Sequence, residues 1–206
     1  MIWIKLGILI IGFIYAGFIP LTLRKVLRRL AFNLREETLS FLSDKTQYDK
    51  RIARGYTKLL LLTALLHYAF FWLLSRYYNL GEHETYMLYT SYTFAFMALL
   101  AFVPHNMKPY SFRNLSSTLQ RAIHNLLAFV VFFTLPLLIV LFLTAVIHTY
   151  PIMAITGLVI IGITAILTAY SLFRHGLTGV CEIIFIVGVS FWTIFVTICT
   201  VLFISP

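Results

Sequence analysis

The sequence predicts an all-α, polytopic integral membrane protein: a single bundle of six transmembrane helices. Three observations lead there. Hydrophobic residues make up 61% of the 206-residue chain and charged residues only 11%, with a mean hydropathy of +0.92. A soluble domain is nearer half apolar and a quarter charged, and one core cannot hide the excess in a chain of this length. Six segments of 17 to 24 residues contain no Asp, Glu, Lys or Arg, and about 20 such residues cross the hydrocarbon core as a helix. Finally, runs such as Leu59-Leu60-Leu61-Leu62 put apolar side chains on both faces of any strand. That excludes a membrane barrel, whose strands alternate.

The first span, residues 6–23, is followed directly by Arg24, Lys25, Arg28 and Arg29 and by no Ala-x-Ala site. It is expected to be a retained helix rather than a cleaved signal. Residues 24–58 form a basic, partly helical connection. Within it Leu27, Leu30, Leu34 and Phe41 recur at helical spacing among Arg28, Arg29, Arg35, Glu36 and Glu37. This pattern fits an interfacial amphipathic helix on anionic headgroups. It fits equally an extension of the first helix packed on its neighbour. A second helical stretch, 48–57, leads into the second span, 59–75. The third span covers 85–104, and Tyr77, Tyr78, Tyr86 and Tyr89 gather where an interfacial aromatic belt is expected. The fourth span, 125–147, contains Pro136. The fifth, 151–173, contains Gly157 and Gly162, and the sixth, 183–206, contains Gly188. These residues kink helices or permit close crossings. Cys181 and Cys199 lie on one predicted helix, about 27 Å apart at 1.5 Å per residue, so they do not pair and read as packing residues.

The net charge of +9 suggests a polyanion partner until the cations are sorted by connection. The first, third and fifth connections hold 14 Lys and Arg, and the opposite side has only Lys5 and Arg76. The positive-inside rule then places those connections in the cytoplasm and both termini outside, across a plasma membrane. Nucleic acid is not expected as a partner. Membrane lipids are, and a membrane protein partner or a second copy is compatible with the chain.

Polar residues that bear on chemistry collect at the basic rim. His105 ends the third span, His124 begins the fourth, and His175 lies just before the sixth, beside Glu182. With Asn106, Arg121, Asn125 and Arg174 they form the densest set of titratable and hydrogen-bonding groups, and Arg121, His124 and Asn125 share one helical face. Such a cluster suits an anionic headgroup held by Arg121 and Arg174, with His105 or His124 moving a proton. Zinc on His105, His124, His175 and Glu182 is the metal version, without an H-x-x-x-H or H-E-x-x-H element to support it. Rim side chains that cap helix ends and reach headgroups are the structural alternative. His67, near the middle of the second span, is expected to face the bundle and bond a Thr, Tyr or backbone carbonyl. A bis-histidine haem would need a second histidine at its depth, and His148 lies at the outer end of the fourth span. No cofactor is predicted. The outer Gly81-Glu82-His83-Glu84 loop is assigned no role. A ceramide-cleaving type of membrane hydrolase is disfavoured, because Asp44 and Asp49 lie in the first connection and no span carries Asp.

Ala101-Phe102-Val103-Pro104-His105, a polar connection, and Gln120-Arg121-Ala122-Ile123-His124-Asn125 opening the fourth span make the chain similar to the uncharacterised six-span family known as domain of unknown function 998. Gly176-Leu177, Glu182 and Trp192 add to the resemblance. It implies the six-span topology and draws attention to His124, and it implies no substrate. Six-span stress and lipid-trafficking proteins share the general layout. The expected function is handling of a lipid or small molecule through a cytoplasm-facing polar pocket, as a transporter or accessory factor. The alternatives are a haem- or metal-binding membrane oxidoreductase and a structural subunit of a membrane complex.

Overall fold

In the computed structural model, which describes residues 2–30, 32–44, 47–80, 84–105 and 115–203, the apolar segments form six long helices. They are α1 (Ile2–Leu27), α2 (Lys50–Tyr77), α3 (Glu84–Phe102), α4 (Leu115–Val146), α5 (Pro151–His175) and α6 (Gly179–Ile198). Each is long and apolar enough to cross a membrane, and no strand occurs among the described residues.

Every helix but α5 begins before its predicted span, α1, α2 and α5 also end beyond theirs, and α3, α4 and α6 end short; local chemistry explains several of these ends. Asp49 caps α2 by accepting the Arg51 N–H at 3.1 Å, so the stretch at 48–57 and the second span merge into one helix. Pro151 opens α5, where its missing N–H costs nothing, and Gly176 ends it at φ 71°, a left-handed position. Each helix packs on its neighbour in sequence and α6 returns to α1, closing a ring whose thinnest seam is α4–α5.

The ring is filled through its middle. Phe70, Phe71, Phe142 and Trp192 are fully buried, and Trp192 stacks on Phe71 with centroids 5.8 Å apart. The outward surface stays apolar, with Phe133, Ile152, Ile166 and Phe173 exposed as lipid contact requires. Two tyrosines expected in the interfacial belt belong to the core: Tyr77 and Tyr86 are buried, and the Tyr86 hydroxyl donates to the Phe71 carbonyl at 3.3 Å. Tyr89 remains exposed.

The first helix extends one turn into the basic connection, to Leu27, but no α-helix follows among the described residues from there to Asp44. Asn33 Oδ1 accepts the Arg35 N–H and a Glu37 carboxylate oxygen accepts the Asn33 N–H, both at 3.1 Å. Side chains thus take amides that a helix would use. The chain then makes a 3-10 turn, Leu39–Ser43, whose Leu39 and Leu42 are buried against Leu23 and Leu59. The segment therefore tucks under the bundle rather than lying on a membrane surface.

Candidate binding cavity

The first amides of a helix have no partner within it, and at α6 the connection supplies what is missing. Thr178 makes no side-chain cap. Instead the Gly179 N–H donates to the Glu37 carbonyl at 2.8 Å and the Val180 N–H to the Leu34 carbonyl at 3.1 Å. The Glu182 carboxyl group reaches back to accept the Leu39 N–H. Gly179 is required here, because a Cβ would stand 2.8 Å from the Glu37 carbonyl oxygen.

The other side of the 3-10 turn meets the α3–α4 rim. The His105 N–H donates to Ser43 Oγ at 2.7 Å, and the His105 ring lies 4.9 Å from that of Phe41 and 5.1 Å, edge-on, from that of His124. Burial lowers the His105 pKa to about 4; His124 and Arg121 push the same way, and Asp44 opposes them. His124 Nδ1 lies 2.6 Å from the Val103 carbonyl oxygen. A carbonyl only accepts, so Nδ1 carries the proton and, in the neutral ring, Nε2 is left as an acceptor. That Nε2 is buried without a hydrogen-bond partner, as is His105 Nδ1.

Above the turn the helices line a partly open cavity of about 130 Å³. Its walls are apolar, with Leu59 and Leu60 from α2, Met97 from α3, Phe132 from α4 and Phe185 from α6. Leu39 and Ser40 floor it, and Tyr56, His124 and Glu182 supply polar groups at that same basic end. Among the described residues no Lys or Arg lines it. Tyr15 lines the opposite end, where its hydroxyl lies 3.2 Å from Nδ1 of the fully buried His67.

Of the residues predicted at the rim, His105, His124 and Glu182 are buried and joined through the connection, and His124 and Glu182 face one cavity. Arg121 is half-buried one turn before His124, and Asn125 is exposed. Arg174 and His175 are exposed at the end of α5, where Arg174 donates to the Tyr170 hydroxyl at 2.6 Å. Arg121, for its part, acts electrostatically on His105. Among the described residues no three His, Cys, Asp or Glu side chains come together as a metal ion would require. His67 bonds Tyr15, as a deep polar group needs, and His148 is exposed. Asn106 and residues 81–83 lie outside the described residues. Sequence reasoning missed Leu39, Ser40, Tyr15 and Tyr56. The one available signal was the apolar run Leu39-Ser40-Phe41-Leu42 inside a basic loop. Comparison with protein-family models, with curated proteins and with solved structures finds no match.

Proposed function

We propose that this is a protein of a prokaryotic plasma membrane that binds a small apolar molecule, or the end of a lipid chain, in the cavity on the cytoplasmic side of its bundle, in a transport or accessory role. One observation carries the reading: a cavity of about 130 Å³ with apolar walls and, at one end, the unpartnered His124 Nε2 beside Glu182. A dry apolar cavity of roughly 150 Å³ takes up a benzene-sized molecule. Binding sites are of this kind, mostly apolar with a few polar groups that fix orientation. The count of 14 cations against 2 supports placing the basic connections in the cytoplasm. The 3-10 turn then closes the cavity from that side.

A short alkyl diazirine activated in native membranes tests the reading. Adducts are expected on cavity residues such as Met97 and Phe132, and Ala128→Phe, which fills the space, should abolish them. Labelling confined to outward residues such as Phe129 and Phe133 would overturn the assignment.

A further inference from the structure

We infer that the cavity selects a small ligand whose head donates hydrogen bonds, an alkylamine before an alcohol, and rejects carboxylate and phosphate heads. The inference rests on reading the cavity as a binding site. It follows from which atoms at the polar end still have something to give. The only ring proton of neutral His124 is committed to the Val103 carbonyl, so its buried, unpartnered Nε2 can only accept. Glu182, 9% exposed, spends Oε2 on the Leu39 amide and faces the same space with an acid. The Ser40 and Tyr56 hydroxyls serve either role.

No cation is among the described residues of the wall. Of the two that sequence reasoning offered to an anion, Arg174 pairs with Tyr170 on the exposed end of α5, and Arg121 acts on His105 at the rim without lining the cavity. A carboxylate or phosphate brought in would therefore be buried with no countercharge among the described lining residues, a costly arrangement for a charge in an apolar site. An alkylamine shares one proton with the Glu182 carboxyl group, and in either form its nitrogen bonds Glu182 and keeps an N–H for an acceptor such as Nε2. The volume of about 130 Å³ suits a short alkyl chain within the cavity.

The probes are hexylamine, 1-hexanol and hexanoate, which differ only in the head. They are titrated at neutral pH into the full-length protein in phosphatidylcholine nanodiscs, with the melting temperature as readout. Hexylamine should act at a concentration at least about tenfold below hexanoate, as a hydrogen bond to a charged group implies. Glu182→Gln keeps an acceptor for the Leu39 amide and should remove the advantage of hexylamine over hexanol, the hexanol response surviving as evidence of an intact cavity. Hexanoate acting as well as hexylamine overturns the inference and leaves the cavity reading in place. An undiminished amine preference in Glu182→Gln overturns it too. No response to any of the three probes overturns both. The wild-type ranking decides the matter even if the variant does not fold.

Discussion

Two buried histidines meet the cost of a polar ring in an apolar bundle differently. His67 has Tyr15, whose hydroxyl lies 3.2 Å from Nδ1, and the ring sits 4.7 Å from that of Phe71. Tyr15→Phe leaves that nitrogen without a partner and should cost about 1–3 kcal/mol in reversible denaturation. Adding His67→Leu should recover part of the loss, because removing both partners is milder than orphaning one. A double variant no better than Tyr15→Phe would contradict this. His105, at the rim, instead stays neutral, its pKa lowered to about 4 by burial. Between that value and the unfolded histidine value of about 6.5, the unfolded chain binds the extra proton. Stability from this site is therefore complete above the upper value and drains away as pH falls towards the lower one. Melting temperatures from pH 7 to 4 should fall less steeply in His105→Gln; equal slopes would refute the assignment. The depth of both histidines was legible in the sequence from their place in the spans. Their partners were not, because Tyr15 and Ser43 meet them across 52 and 62 residues of chain.

Three glycines that look alike in the sequence differ once the helices are packed. A Cβ on Gly188 would stand 2.2 Å from Thr164 Oγ1 and 2.7 Å from Thr164 Cβ, so α5 and α6 would have to part. A Cβ on Gly157 would meet Leu143 at 2.7 Å, a flexible side chain with some room to yield. One on Gly162 meets nothing within 4 Å. Gly188→Ala should therefore cost about 1–3 kcal/mol through overpacking. Gly162→Ala should be neutral or gain up to about 1 kcal/mol of helix propensity. Denaturation of the two variants side by side checks the ordering, and equal effects would refute the crossing. The same distinction between local and long-range information separates the elements. The uncharged apolar runs marked six helices because helix formation answers to nearby residues. The turn at Leu39–Ser43 was missed because α6 holds it from some 140 residues away, its amides bonding Leu34 and Glu37 and its Glu182 accepting the Leu39 N–H, and tertiary contacts override local periodicity.

At the scale of the molecule, one asymmetry governs both orientation and the cavity: the basic connections and the polar cavity end share a side of the bundle. The other side carries two cations by count, and one of them already has a structural task. Lys5 Nζ donates to the Val201 carbonyl at 3.4 Å and lies 5.7 Å from the centre of the Tyr77 ring. Val201 belongs to the π-helical turn Cys199–Phe203 that follows α6, and its carbonyl accepts from a lysine of the first helix. Lys5 thus ties the first helix to the last and closes the ring at its far end, so its contribution to topology is separable from its contribution to stability. Lys5→Gln leaves 14 cations against 1, which reinforces the proposed orientation, while the fold loses a charge-assisted bond and a cation–π contact worth roughly 1 kcal/mol together. A phosphatase fused to the C-terminus, active only where its disulfides form outside the cytoplasm, should stay active in both wild type and Lys5→Gln, with a lower melting temperature in the variant alone. An inactive wild-type fusion would reverse the orientation. An unchanged melting temperature would deprive Lys5 of its role in closing the ring.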